Sequence, residues 1–398
     1  MGSEVIQQSM RASSSGTPPR FRISRSTVTP LRAGHPWVFR DGLVDAPVGE
    51  IVELTGEDGT VVAWGIGDEG PIAVRVLGRG EAPKRPLEAV LAERIRAADV
   101  VRNRLVPPQT DAYRLIGGAG DGIPGLVVDR YGDLAILRLY SAAWQPWLTP
   151  IVRALTSLGW ISRVYRRFGV NRVDGRDGGE ALHGGDPSET MVISEYGMKM
   201  LVRPKVGQKT GLFLDQREHR QLICRWGGGR MVANLFAYTG GFSVSAALGG
   251  AARVTTVDIA PDAVDDAKEN FRLNGLDPDL HGFEVADAFA WKPKGPVDLL
   301  IVDPPALTRT KKSDGAARSS YRKLHRRLGP FVAKGGLLAS SSCSARLSNE
   351  AWQQALREGL APVGDWSWHW CSQEPPDHPT ALAHSEGRYL KFAVLGRR

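Results

Sequence analysis

Cysteine is scarce in this chain: Cys224, Cys343 and Cys371 are the only three in 398 residues. They are widely spaced and form no C-x-x-C pair, which argues against a zinc site or disulfide framework and points to a reducing compartment. No run is long and apolar enough to span a bilayer. Met1 to Pro19 lacks the apolar core of a secretory signal and is rich in Ser, Gln, Gly and Pro, so residues 1–20 read as a disordered tail. No internal repeat appears. The expectation is a soluble, cytoplasmic protein with no membrane and no metal.

Length and charge narrow this further. A chain of 398 residues exceeds one ordinary core, so two or three domains are expected. The net charge of +8 favours an anionic partner, and nucleic acid is a frequent one for such a balance.

Residues 21–85 alternate short β-rich runs, such as Ile51-Val52-Glu53-Leu54 and Ala73-Val74-Arg75-Val76-Leu77, with turn signals, which suggests a small β-barrel domain. Residues 86–190 open with a helical pattern from Leu87 to Asn103. They continue through the glycine-rich Gly117 to Gly125 and several strand-like runs, a small α/β module. Residues 191–398 alternate strands and helices. Met231 to Phe236, Val254 to Val257, Leu299 to Val302 and Leu337 to Ser341 have buried parallel-strand character, so this third domain reads as a doubly wound α/β sheet.

In such a sheet, ligands bind beyond the carboxyl ends of the strands. Asn234 to Gly241 closes the first strand in a loop with Gly240 and Gly241, where the backbone can adopt positive φ and approach a ligand. The second strand stops at Asp258, placed to accept from two ribose hydroxyls. Asp287 ends the third, where it or Ala288 meets an adenine. The loop lacks the G-x-G-x-x-G pattern that cradles a pyrophosphate, so a ligand with adenosine but no phosphate fits better. S-adenosylmethionine is such a ligand.

Asp303-Pro304-Pro305 closes the fourth strand, its prolines fixing the backbone beside the expected methyl donor. An aromatic fourth residue would stack on a base whose exocyclic amine is methylated, but Ala306 stands there. Cys343 follows the strand ending at Ser342. Carbon 5 of a pyrimidine is a poor nucleophile until a thiolate adds at carbon 6, which is the work a cysteine here would do. Asp303 would hold the ring as charge develops. Carbon methylation, exocyclic-amine methylation and an idle, RNA-binding protein all remain open on these residues alone. Cys224 and Cys371 read as structural.

With these motifs in place the chain resembles the family of 23S ribosomal RNA large-subunit cytosine-5 methyltransferases, which join a PUA domain to a Rossmann-like class I methyltransferase domain. The resemblance runs through His35-Pro36-Trp37-Val38-Phe39, Tyr113 to Ile116, Asp121 to Gly125, Lys209-Thr210-Gly211, Leu214 to Arg217, Asn234 to Gly241, Asp303-Pro304-Pro305, Ser342-Cys343-Ser344 and Asp377-His378-Pro379. It implies an RNA-binding PUA module over residues 21–85, with His35 to Phe39 on its early hairpin and His35 and Trp37 toward RNA. It implies Cys343 as nucleophile. It also implies a cofactor pocket using Lys209, Phe236, Tyr238, Thr239, Gly240, Asp258, Asp287, Asp303 and Pro304. Related enzymes often carry a second cysteine after the fourth strand. Here Ala306 and Leu307 follow the prolines, so the group that aids product release is unassigned.

Two basic stretches suit a phosphate backbone. One is Arg163, Arg166, Arg167 and Arg172. The other, closer to the proposed site, contains Arg309, Lys311, Lys312, Arg318, Arg322, Lys323, Arg326 and Arg327, with Tyr321 available to stack on an unpaired base. A base that reaches Cys343 has left its stack, so a loop or single strand of 23S RNA is the expected substrate. The oligomeric state stays open.

Overall fold

The computed structural model describes residues 17–42, 46–307 and 314–398. The first sheet contains β1 (Arg20–Arg22), β2 (Trp37–Phe39), β3 (Ile51–Thr55), β4 (Val61–Gly67) and β5 (Ile72–Arg79), in the order β1-β3-β4-β5-β2. A helix, α1 (Arg25–Ala33), interrupts what reads as all-β sequence and buries Leu31 against the sheet. The expected early hairpin at His35 to Phe39 does not form. β2 pairs antiparallel with β5, Trp37 opposite Arg75, because α1 rather than a strand precedes it.

The second sheet is built from β6 (Ala112–Gly117), β7 (Leu126–Tyr131), β8 (Leu134–Leu139), β9 (Arg163–Arg167) and β10 (Gly179–His183), each beside its sequence neighbour. β8 and β9 are parallel, joined through α3 (Leu148–Thr156). Helix α2 (Leu87–Leu105) packs Leu91 and Ile95 on Leu115 and Leu137, and Trp64, Ile66 and Leu77 of the first sheet enter the same core. The two sheets are therefore fastened by shared apolar burial. β10, after the single turn α4 (Asn171–Asp174), forms within the polar, glycine-rich stretch from Asp174 to Gly185, pairing antiparallel with β9 at the sheet edge.

A tight hairpin, β11 (Met191–Glu195) and β12 (Met198–Val202), turns at Tyr196 and Gly197, both at positive φ. After α5 (Arg217–Trp226) comes the third sheet. Its strands are β13 (Met231–Leu235), β14 (Arg253–Asp258), β15 (Gly282–Val285), β16 (Val297–Val302), β17 (Val332–Ser342), β18 (Trp366–Ser372) and β19 (Lys391–Arg397). Their order is β15-β14-β13-β16-β17-β19-β18. The first five are parallel, while β19 runs antiparallel to both of its neighbours.

Helices cover both faces. On one, α5, α6 (Gly241–Leu248) and α7 (Pro261–Leu273) contribute Ile223, Val244 and Phe271. On the other, α8 (Asp314–Leu328) and α9 (Asn349–Leu360) contribute Leu324, Leu328 and Trp352. This double covering explains the continuous apolar runs in the parallel strands. Each fully buried Leu, Ile or Phe contributes about 1.5–3 kcal/mol. The resulting frame sends the loops after β13, β14, β15, β16 and β17 to one edge. Among the described residues, no helix is long and apolar enough to cross a membrane.

Candidate active site

The loop after β13 is unusual in its backbone. Phe236 and Tyr238 hold φ of 59° and 48°, and Gly240 follows at 76°. A non-glycine residue in this region costs on the order of 1–3 kcal/mol unless its surroundings enforce it. Here they do: Ala237 N–H donates to the Val257 carbonyl (3.0 Å), Tyr238 N–H to the Asp258 carboxylate (2.7 Å), and Gly240 N–H to the Ala237 carbonyl (2.9 Å). A Cβ on Gly240 would meet that of Ala267 at 2.8 Å, so glycine also permits the close packing of α7. Thr239 is buried, its carbonyl accepting from Asn270 Nδ2 (2.8 Å). The Thr239 hydroxyl and the Asn234 side-chain carbonyl are buried without a hydrogen-bond partner among the described residues.

Asp258 ends β14 as expected. One carboxylate oxygen holds Tyr238 N–H and the other Ala260 N–H (3.0 Å), and each keeps a lone pair for a further donor. Asp287 lies two residues beyond the end of β15 and caps the turn by accepting from Phe289 N–H (2.8 Å). The Phe236 and Phe289 rings meet at 5.1 Å.

Beyond β16 and β17 lie Asp303 and Cys343, on adjacent strands with Val302 opposite Ser340. Pro304 is buried and Cys343 half-buried. Gln216, in the turn before α5, donates to both Asp303 Oδ2 (3.1 Å) and Ser341 Oγ (2.8 Å). His219 orients that amide. Burial holds its imidazole neutral, pushed down to about 3, and Nδ1 donates to Gln216 Oε1 at 2.5 Å while the ring stacks on Phe392. Lys209, at positive φ, pairs with the buried carboxylate of Asp215, which also accepts from the Tyr389 hydroxyl (2.6 Å).

This environment penalises negative charge. Burial, with the Asp215 carboxylate adding to it, raises Asp303 to about 6 although a Ser341 hydrogen bond opposes the rise. Burial and then Asp303 push the Cys343 thiol up, with Lys209 opposing. Lys391, opposite Ser342 at the start of β19, is buried and donates to the carbonyls of Ser344 (2.6 Å) and Tyr389 (2.9 Å), which pins the segment after the thiol.

The chain matches the family model described as S-adenosylmethionine-dependent methyltransferase over residues 149–361, and that of a PUA-like domain over residues 21–79. It is 35% identical to the ribosomal RNA large subunit methyltransferase of Deinococcus radiodurans, covering 97% of this chain and 99% of that protein. It is 32% identical to ribosomal RNA large subunit methyltransferase I of Klebsiella pneumoniae, covering 94% and 97%. The chain belongs to the ribosomal RNA large subunit methyltransferase family. A solved S-adenosylmethionine-dependent methyltransferase from Streptococcus mutans has the same fold, with a TM-score of 0.83 at 23% identity over 95% of this chain and 99% of that one. A methyltransferase solved with SAH superposes with a TM-score of 0.84, also at 23% identity, over the same shares of the two chains.

S-adenosylmethionine is the family's cofactor, and the residues at the strand ends fit it. Asp258 keeps acceptor capacity, and beside it Ile259 is 71% exposed. Phe289 stands 46% exposed near Asp287, so an apolar surface waits at the same edge for an adenine. Ile259 and Phe289 are absent from the sequence expectation, although one directly follows the predicted ribose carboxylate. Asp215, Gln216, Tyr389 and Lys391 were also not predicted as site residues. The first two sit inside the Leu214 to Arg217 motif, whose polar residues were the available signal.

The RNA-facing expectations divide. His35 and Trp37 are half-buried and cluster with Phe39 and His384. Arg309, Lys311 and Lys312 lie outside the described residues. Arg322 and Lys323 are exposed on α8, but Arg322 and Arg318 share Glu358 across to α9. Arg327 donates to the Ala288 and Trp291 carbonyls. Arg163 and Arg166 pair with Asp133 and Asp174 at 2.7 and 2.8 Å, and Arg166 is buried, so neither offers a free charge. Tyr321 does not stack on a base. It is 0% exposed and packs on the inner face of α8 with Leu324 and Leu328. Cys224 is half-buried on α5 and Cys371 exposed on β18, and among the described residues no group of three or more His, Cys, Asp or Glu is placed to hold a metal.

Proposed function

We propose that this protein methylates carbon 5 of a cytosine in 23S ribosomal RNA through a covalent adduct of Cys343 at pyrimidine carbon 6. In this reading residues 21–85 bind RNA, 86–190 form the central module and 191–398 carry the chemistry in the cytoplasm. One observation carries it: of the three cysteines, Cys343 alone lies at the carboxyl edge of the parallel strands, half-buried on the strand next to that of Asp303.

When bound, S-adenosylmethionine supplies an electrophilic methyl group on a sulfonium. Asp258 and Asp287, with the apolar Phe236, Ile259 and Phe289, would hold its adenosine. Lys209, Tyr238, Thr239, Gly240, Asp303 and Pro304 would form the rest of the pocket. Cys343, as thiolate, adds to carbon 6 and makes carbon 5 nucleophilic. Because Asp303 is raised to about 6, it can share a proton near neutral pH and hydrogen-bond the ring nitrogen as charge gathers there. Once carbon 5 carries the methyl, it gives up its proton to water, and that electron pair re-forms the ring double bond as the carbon 6–sulfur bond breaks and returns Cys343 as thiolate. Gln216 and His219 position Asp303, and Lys391 positions Cys343. His35, Trp37, Arg309, Lys311, Lys312, Arg322 and Lys323 would meet the RNA.

The test is nucleoside mass spectrometry of 23S RNA transcript incubated with enzyme and cofactor. Wild type should form 5-methylcytidine and Cys343→Ala none. Methylated product surviving in the Ala variant would overturn the nucleophile and favour an exocyclic amine.

A further inference from the structure

A cleft of about 340 Å3 opens between the first sheet, the second sheet and the segment Asp377 to Tyr389. Trp37 of β2, Arg75 of β5, Arg114 of β6, Tyr140 after β8, His384 and Tyr389 all line it. Its volume sits at the small end of the roughly 300–1,000 Å3 usual for ligand sites, enough for one nucleotide.

The chemistry of its wall is specific. Trp37 is half-buried, met edge-on by the buried His384 ring at 4.2 Å and 67°. Tyr140 is 41% exposed with the Arg138 guanidinium 5.7 Å from its ring. The two arginines of the wall are already engaged: Arg75 Nε holds Asp68 at 2.7 Å, and Arg114 holds Asp129 at 2.9 Å. Their charge is balanced by carboxylates, so the wall is poorly suited to a phosphate. It is well suited to a flat, uncharged ring, which aromatic faces accept by stacking.

The floor is held in place rather than loose. Asp377 takes Arg217 Nη2 (2.7 Å) and Arg114 N–H (3.0 Å). Gly120 leaves room for Pro379, whose carbonyl would lie 2.1 Å from a Cβ there. From this floor the chain runs straight to the chemistry. Tyr389 lines the cleft and donates to Asp215, the partner of Lys209, and two residues later Lys391 pins the Ser344 carbonyl beside Cys343.

We propose that this cleft binds a second unpaired base of the same RNA strand, one near the target cytosine, stacked on Tyr140 beside the half-buried Trp37. The inference rests on the RNA-modifying function above and adds to it a base-reading site formed jointly by the PUA-like sheet, the central sheet and the C-terminal segment. Such a site couples RNA capture by the first sheet to delivery of the target at Cys343.

The experiment uses the full chain and a 23S RNA transcript carrying 5-iodouridine or 5-iodocytidine, irradiated in complex and mapped by peptide mass spectrometry. Crosslinks are expected at Tyr140 or Trp37. In parallel, steady-state kinetics on unsubstituted transcript should show KM for RNA raised about tenfold or more in Tyr140→Ala, with kcat and cofactor affinity within twofold and with Tyr140→Phe close to wild type. Tyr140 is exposed enough that its truncation leaves the core intact. An active wild type with crosslinks only elsewhere, and a Tyr140→Ala variant of unchanged KM, would overturn the cleft while leaving the methyltransferase reading intact. A wild type that neither binds nor methylates RNA would overturn both.

Discussion

Asp303→Asn should make the protein inactive and more stable, and the pH dependence of the gain is the sharper test. The folded environment raises the carboxyl from its ordinary 3.8 to about 6, through burial first and the neighbouring Asp215 second. A raised pKa means that the folded state binds this proton more tightly than the unfolded chain does. The stability it contributes is therefore full below about pH 4 and is lost as pH rises through about 6. At roughly 1.4 kcal/mol per tenfold change in equilibrium constant, the ionised carboxylate costs the fold about 3 kcal/mol at pH 7 and about 1.5 kcal/mol at pH 5. These are upper bounds, since Asp303 retains some contact with solvent. The Asn variant keeps the side-chain oxygen that accepts from Gln216 and carries no charge, so it escapes that cost.

The assay is amide hydrogen exchange of β16, Val297–Val302, compared between variant and wild type at matched pH. Protection should rise in Asp303→Asn by about 2–3 kcal/mol at pH 7 and by little at pH 4. A difference that is absent at pH 7, or equal at both pH values, would refute the account of a charge stressed by burial. A cofactor that brings a positive sulfonium to this carboxylate favours its ionised form. Binding of S-adenosylmethionine should accordingly weaken as pH falls through about 6, while the neutral thioether S-adenosylhomocysteine should show no such trend.

Three other perturbations follow from the contacts. Gln216→Leu removes the donor shared by Asp303 and Ser341. Stability should fall by about 1–3 kcal/mol in urea unfolding, and kcat should fall with a modest change in RNA KM. Asp377→Ala leaves the fully buried Arg217 with Glu218 as its remaining carboxylate partner, which should cost about 2–4 kcal/mol, and Asp377→Asn should cost less. Burial raises Asp377, but His378 and Arg217 overrule it and hold the carboxyl well below the usual range. Its stabilising contribution is thus present above about pH 4 and disappears as pH falls, which acid titration of the unfolding midpoint reads. Lys391→Met loses two donors to main-chain carbonyls but also the cost of a buried charge, so its melting temperature should shift little while kcat drops. A Lys391→Met enzyme with full kcat would show that the Ser344 segment needs no pin.

Much of the third domain is legible in its sequence because β13, β14, β16 and β17 are covered on both faces and so read as unbroken apolar runs. The same logic fails at the edges. β18 (Trp366–Ser372) alternates tryptophans with polar residues and lies exposed at the sheet margin. That β19 inserts antiparallel between β17 and β18 is a tertiary fact with no local pattern. α1 is hidden for another reason: Thr27, Val28, Thr29 and Pro30 favour strand or turn, and packing of Leu31, with Val28 beside it, against the sheet selects the helix. Tyr321 could have been placed correctly. Ala317, Tyr321, Leu324 and Leu328 recur at helical spacing as one apolar face, while Arg322, Lys323 and Arg326 point outward.

The site shows the same boundary between what the chain states locally and what packing decides. Asp258, Asp303 and Cys343 each follow a readable strand, so topology alone takes them to one edge, and Asp287 reaches it from a turn one step later. Asp215, Gln216, Tyr389 and Lys391 reach that edge only because the turn before α5 and the start of β19 pack beneath it. Their arrival changes the chemistry. Asp215 pairs with Lys209 yet still disfavours charge on Asp303, and Asp303 in turn disfavours the Cys343 thiolate. A crevice of this kind favours a single unpaired negative charge at a time. The thiolate is therefore most accessible when Asp303 keeps its proton to hand to the ring nitrogen, or when a cation enters to offset the pair. Nucleophile and proton donor are in this sense one coupled unit, set by the depth of β16 and β17 and by the Gln216 amide that ties Asp303 to Ser341.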